Sequence, residues 1–375
     1  MRQLVALAWP AGPAFVDQMR RAWDAGDAVL PVDLRLPPPA RARLLDALAP
    51  DVVVGPDGSQ RRRGGRPTED GDALVVATSG TTGEPKGVVL THEAVQASAL
   101  ATTRRLAATP GSDRWLACLP LSHVGGLAVV TRSIHSGVAV EVHDGFDPVA
   151  VGNAARRGAT LVSLVPTALA RIDPSLFRFV LVGGSAPPPD RPPHVLATYG
   201  LTETGSGVVY EGEALEGVEV RVLGGEVQLR GPMLLRAYRD GSDPKLAGGW
   251  LPTGDAGELD ADGRLRVFGR RGEMIVTGGE NVWPAAVEAV LSRHRAIAAV
   301  AVVGRADAEW GQRVTAVAVP VDGTDLPGLQ ELRDHVRAEL PAFCAPRSVE
   351  WVDDLPRTPV GKVRRRGLDE PGRAG

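Results

Sequence analysis

Aromatic side chains are scarce, at 4% of 375 residues. So small a supply argues against a deep apolar tunnel for a long flexible ligand. Cysteine is scarcer still. Cys118 and Cys344 lie far apart and form no C-x-x-C, which excludes both a disulfide framework and a zinc site and leaves two small buried hydrophobes. No run of 18 apolar residues exists to span a bilayer, and the first residues, MRQLVALAWPAGPAF, are too short and too lightly basic for a signal peptide. The expectation is a soluble, cytoplasmic protein without membrane insertion. Charge of one sign is also lacking: 42 basic against 45 acidic residues give a net charge of -3, with no basic excess to favour nucleic acid. Small-molecule chemistry is the default that survives.

What is present is ordinary globular material, 43% hydrophobic and 23% charged, in a chain long enough for two domains. Between about 71 and 200, apolar runs (LVVAT 74–78, WLACL 115–119, VAVEV 138–142, TLVSLV 160–165, FVLVG 179–183, VLATYG 195–200) alternate with helix-like stretches. That rhythm predicts an α/β fold of βα units around a largely parallel sheet. In THEAVQASALATTRRLA, Thr91 is the expected N-cap. After residue 217, GVEVRVLGGEVQLRG alternates about a Gly-Gly pair and predicts an antiparallel hairpin, the start of a β-rich annex. From Arg270 the texture becomes a small α+β module: MIVT, a helix opened by Pro284, strands IAAVAVVG and RVTAVAVPV, and a helix near 328–340. The expected domains are therefore 1–269 and 270–375. RRRGGRP (61–67) reads as a solvated loop rather than a basic binding patch, and no solenoid repeat is present.

The stretch with most chemistry in it is Thr78-Ser79-Gly80-Thr81-Thr82-Gly83-Glu84-Pro85-Lys86-Gly87, with three glycines, four hydroxyls and a lysine directly after a predicted strand. Glycines let backbone N–H groups close on phosphate oxygens, hydroxyls donate further hydrogen bonds and Lys86 supplies countercharge. Pro85 and Gly87 flank the lysine, so this is not a Walker A loop. Taken alone, a plain flexible loop would be the competing reading.

The loop and five further motifs stand in one order: LPLSHVGG (119–126), YGLTETG (199–205), GWLPTGD (249–255), GRRGEMIVTGGENVWPAAVE (269–288) and PRTPVGK (356–362). Together, over roughly residues 70 to 366, they resemble the adenylate-forming superfamily of acyl-CoA synthetases, luciferases and peptide-synthetase adenylation domains. The resemblance implies a large AMP-binding domain with a small mobile one. It also implies ATP, Mg²⁺ and coenzyme A as reactants, and acyl-AMP followed by a thioester as products. It makes Lys362 the lysine that bridges carboxylate and phosphate, Thr202 a donor to the α-phosphate and Glu203 the Mg²⁺ ligand. Tyr199, beside Gly200, would lie against adenine, with Gly183-Gly184-Ser185-Ala186 lining the same pocket. Asp255 and Arg270 would hold the ribose, and Gly278 and Gly279 would face the pantetheine arm.

His123 borders the acyl pocket in the family. The family's rotation often centres two residues after the arginine of GR. Here that position is Gly272, the expected hinge. Peptide-synthetase domains carry an aspartate near LPLSH, where this chain has Ser122-His123, so an amino acid substrate is not expected. Only 77 residues precede Thr78, and that compactness, DAVLPVDLRLPPPARARLLDALAPDVVV and GGENVWPAAVE resemble the o-succinylbenzoate-CoA ligases of menaquinone synthesis. Such an acid has a second carboxylate needing donors, for which His123 and Ser206 are the candidates. Another aryl- or acyl-CoA ligase, or a non-catalytic adenylate-binding protein, is the alternative. The sequence leaves a homo-oligomer open.

Overall fold

The protein, a computed structural model, is described over residues 2–79, 85–185 and 190–357 and at 363, 365 and 368. Its chain divides into two compact units: 1–221 with 228–252 and 261–265, and 222–227 with 253–260 and 266–375.

The first unit is built on two seven-stranded sheets. One runs in the order Ala237–Tyr238, Pro85–Thr91, Asp72–Ser79, Ala28–Pro31, Leu4–Leu7, Val52–Gly55, Gly58–Arg61. Its inner strands are parallel, as runs such as LVAL and AVLP, buried at every residue, require. The expectation of a largely parallel sheet is corrected around the Gly/Thr loop. Asp72–Ser79 and Pro85–Thr91 pair antiparallel, because so few residues between them close a hairpin and cannot make a crossover. RRRGGRP starts at the edge of this sheet and is mainly exposed.

The second sheet is parallel across Val195–Gly200, Phe179–Val182, Leu161–Leu164, Arg114–Ala117 and Ala139–Val142, then turns antiparallel through Gly207–Tyr210 and Glu213–Ala214. Helix His92–Arg105 starts where expected: the Thr91 hydroxyl accepts from the Ala94 amide at 3.1 Å. Cys118 packs in the core beneath the second sheet, and burial pushes its thiol up to about 12. It is a small core hydrophobe.

The Gly-Gly hairpin is present as Glu219–Leu223 and Glu226–Arg230, with Gly224 and Gly225 both at positive φ. It joins Leu251–Leu259 and Leu265–Arg270 in a four-stranded sheet.

The second unit is the expected α+β module. Ile297–Asp307 and Gly311–Pro320 form a long antiparallel pair, flanked by Ile275–Thr277 and, in parallel, by Ser348–Trp351. Helices Pro284–Leu291 and Leu329–Arg337 supply Val287, Leu291, Leu332 and Val336 to its core.

Candidate active site

Strand pairing sets Thr78 directly opposite Lys86 at the mouth of the hairpin. Ser79 ends the first strand, while Gly80, Thr81, Thr82 and Gly83 lie outside the described residues. The ammonium of Lys86 sits over the ring of Tyr238, 5.1 Å from its centre, on the strand that pairs with Pro85–Thr91. The Tyr238 hydroxyl in turn donates to Glu203 Oε1 at 2.9 Å. Lysine and glutamate therefore flank one tyrosine, an arrangement that brings together two expected site residues through a third the sequence did not single out.

Glu203 is held by its backbone as well. Strand Val195–Gly200 ends in a bulge at Tyr199/Gly200, where a Cβ on Gly200 would fall 2.2 Å from the Ser206 carbonyl, so only glycine fits. A single 3₁₀ turn, Thr202–Thr204, follows. Buried Thr204 locks it: its hydroxyl accepts from the Leu201 amide at 2.9 Å and donates to the Ser206 carbonyl at 2.7 Å. The Leu235 amide donates to the Glu203 carbonyl at 2.7 Å. Thr202 and Glu203 are thus the partly exposed residues of a braced turn, and among the described residues no lysine or arginine pairs with Glu203. Gly184 and Ser185 are exposed at the end of the neighbouring strand, and Ala186 lies outside the described residues.

The two candidate acid-binding residues differ in surroundings. Ser206 is buried, with its hydroxyl 2.8 Å from that of Ser98. Ser98 and Gly205 line a cavity of about 10 Å³, enough for one water, together with Val124 and Thr131. His123 precedes helix Val124–Ser136 with its side chain 35% exposed and its Nε2 turned toward Asp33, 3.7 Å away. Next to Thr131 in the chain stands a group that no motif singles out. Arg132 is fully buried, its guanidinium 5.2 Å from the Trp115 ring centre, with one Nη1–H donated to Ser163 Oγ at 3.2 Å and Nε unpaired. Among the described residues no carboxylate forms an ion pair with it, and burial lowers its pKa against a smaller opposing pull from Tyr210. Only its place on the apolar face of VGGLAVVTRSIHS could have flagged it.

In the second unit Asp255 and Arg270, the two residues expected to hold the ribose, form an ion pair. Arg270 Nε lies 3.0 Å from Asp255 Oδ1, and its Nη1 donates to the Thr253 carbonyl at 2.6 Å. The Asp255 amide is tied to the Thr253 hydroxyl, leaving a buried carboxylate with an arginine beside it. Gly278 and Gly279 form the turn between Ile275–Thr277 and Glu280–Val282, both at positive φ. A Cβ on Gly278 would stand 2.6 Å from the Trp310 ring, so the loop lies flat on that indole. Gly272 is the middle residue of the 3₁₀ turn Arg271–Glu273 with open space around it. Lys362 is outside the described residues. Of the described residues that follow, Arg365 reaches Glu288 at 2.5 Å and Glu273 at 2.6 Å, and Val363 bridges to Arg357.

Residues 56–285 match the AMP-binding enzyme family, and residues 286–362 match the AMP-binding enzyme C-terminal domain. The chain belongs to the AMP-binding enzyme family and matches the models of both its parts. Among curated relatives, a probable 2-succinylbenzoate–CoA ligase of Mycobacterium tuberculosis is 41% identical over 360 residues, 88% of this chain and 93% of that protein. A 2-succinylbenzoate–CoA ligase of Listeria innocua is 33% identical over 80% of this chain and 70% of its own length. Among solved structures, o-succinylbenzoate CoA synthetase from Bacillus subtilis with its acyl-adenylate intermediate superposes with a TM-score of 0.87 at 26% identity, covering 99% of this chain and 89% of that one. The same enzyme with ATP and magnesium gives 0.86 at 26% identity, covering 99% and 90%.

Proposed function

We propose that this chain is an ATP-dependent o-succinylbenzoate–CoA ligase, forming acyl-AMP and pyrophosphate and then the CoA thioester. The observation that carries the reading is the 41% identity to a protein of that name across nearly its whole length. The large domain would be 1–269 and the small one 270–375. The proposed place of action is the cytoplasm. It is supported by the ATP and CoA the reaction consumes and by the lack, among the described residues, of a helix able to cross a membrane.

Adenylation joins two anions, the acid's carboxylate and the α-phosphate, so cations and donors must offset their repulsion in a water-poor site. Lys86 at the hairpin mouth and Lys362 on the C-terminal segment supply charge, and Thr202 supplies a hydroxyl. Glu203 would hold Mg²⁺. One carboxylate with no basic partner suits an ion that takes its other ligands from phosphates and water, and no cluster of three acidic, histidine or cysteine ligands exists among the described residues. Bound there, Mg²⁺ neutralises phosphate charge and makes pyrophosphate a better leaving group. Asp255, oriented by Arg270, would accept from the ribose hydroxyls.

A further candidate for the acid's second carboxylate, beside His123 and Ser206, is Arg132. Arg132 is a buried cation whose charge no described carboxylate matches. Arg132→Met should leave the thermal midpoint unchanged or raise it, since a desolvated cation is removed. It should also raise KM for o-succinylbenzoate about tenfold or more. A lowered midpoint with unchanged KM would make Arg132 purely structural.

For the second half-reaction, Gly272→Pro should spare pyrophosphate release and slow thioester formation, because proline fixes φ at the hinge. Equal loss of both would remove Gly272 as the pivot.

Mass spectrometry of products from protein, ATP, Mg²⁺, CoA and o-succinylbenzoate, with benzoate and octanoate in parallel, tests the whole reading. A thioester from o-succinylbenzoate alone supports it. A thioester from another acid keeps the ligase and changes the substrate. AMP without thioester means that the acceptor is not CoA, and no pyrophosphate with any acid means a non-catalytic adenylate binder.

A further inference from the structure

The His123 ring has one nitrogen turned inward and unsatisfied. Nε2 is buried and has no hydrogen-bond partner, and the acidic oxygen facing it is Asp33 Oδ2 at 3.7 Å. That separation is beyond a hydrogen bond but within reach of an ion pair or of one bridging water. Asp33 cannot easily turn away. It is buried just beyond strand Ala28–Pro31, and Arg35 grips both its oxygens, Nε to Oδ1 at 2.9 Å and Nη2 to Oδ2 at 2.7 Å, while the Arg35 amide adds a third bond at 3.0 Å. The histidine is fixed at the other end, since its carbonyl accepts from the Gly126 and Leu127 amides at the start of helix Val124–Ser136. A buried carboxylate therefore faces a ring held at its base, and the ring's other nitrogen, Nδ1, is left for a ligand.

We infer that Asp33 is a positioning residue for the acid substrate: it holds the His123 ring with Nε2 inward and supplies the countercharge that lets Nδ1–H donate to the carboxylate that does not react. The inference rests on the ligase reading and on the placement of His123 at the acyl pocket. Asp33 itself stays ionised. Burial pushes its pKa up, but the Arg35 fork, with His123 adding to it, outweighs burial and holds it well below the ordinary carboxylate range. The chemistry predicts selectivity for a dicarboxylic acid, because a monocarboxylic acid has nothing to offer the outward nitrogen.

The test is a comparison of KM values in purified full-length enzyme. Asp33→Asn keeps the shape and removes the charge. It should raise KM for o-succinylbenzoate about tenfold while KM for ATP and kcat stay within about twofold. Asp113→Asn is the control. It breaks an equally buried fork, to Arg178 at 2.9 and 2.8 Å, away from His123, and should cost stability without moving the acid's KM. His123→Ala should raise the same KM, and the double variant Asp33→Asn/His123→Ala should be no worse than His123→Ala alone. Should Asp33→Asn not fold, Asp33→Glu keeps the charge one methylene displaced and should still raise the acid's KM selectively. The inference is overturned if Asp33→Asn and Asp113→Asn shift KM equally, or if His123→Ala raises it and Asp33→Asn does not. If His123→Ala leaves KM unmoved, the placement of His123 fails and the inference with it. If wild type makes no thioester from any acid, the ligase reading itself falls.

Discussion

Lys362→Ala is expected to cut acyl-AMP formation by about 10²–10³-fold or more, the cost of losing one group that meets developing charge. Conversion of supplied acyl-AMP to thioester should proceed at near wild-type rate. The asymmetry follows from the chemistry. Only adenylation brings two anions together, whereas attack of a thiol on an acyl-phosphate anhydride starts from a joined pair. Arg365, three positions after Lys362 in sequence, shares its guanidinium between Glu288 and Glu273, with Glu273 next to the proposed hinge at Gly272. Burial would lower the Arg365 pKa, yet the two carboxylates raise it overall, so the guanidinium is charged at any working pH. ATP–pyrophosphate exchange reads the first half-reaction and single-turnover thioester formation reads the second. Survival of exchange in Lys362→Ala would take the bridging role from this lysine.

Local signals were legible in the sequence and distant partnerships were not. Gly224-Gly225 announced a hairpin because two consecutive positive-φ residues have few other uses, and Thr91 announced a helix because a cap acts within three residues of itself. PKGVVLT was harder. Pro85 and Gly87 are poor strand residues, so the return strand after the Gly/Thr loop did not show in the pattern, although it is what sets Thr78 opposite Lys86. Tyr238 stands 35 positions from Glu203, and Asp33 is 90 before His123. No window of periodicity joins such pairs, because sheet order and helix packing create them. Family motifs named Glu203 and His123, and only the coordinates show what holds each in place. The same limit applies to Arg132. An arginine on an apolar helix face can reach for solvent as readily as it can be buried.

Glu203→Gln should be the second most damaging change. Glutamine keeps the size and the acceptor for the Tyr238 hydroxyl, and the turn around it is held independently by Thr204 and by the Leu235 amide, so the fold should be unaffected. What disappears is the charge. A magnesium site with a single protein carboxylate has no second one to fall back on, so the rate of acyl-AMP formation should drop about 10²-fold or more and the Mg²⁺ needed for half-maximal rate should rise. Tyr238→Phe separates orientation from charge. It removes one hydrogen bond to the carboxylate and leaves Lys86 its aromatic face, so it should cost less than Glu203→Gln and leave a magnesium response close to wild type. Measuring adenylation rate against Mg²⁺ concentration for the three proteins decides the matter. If Glu203→Gln loses rate at an unchanged magnesium midpoint, the carboxylate acts on the phosphates through something other than the ion. If Tyr238→Phe shifts the midpoint as far as Glu203→Gln, the tyrosine's grip, and not the charge alone, makes Glu203 a metal ligand.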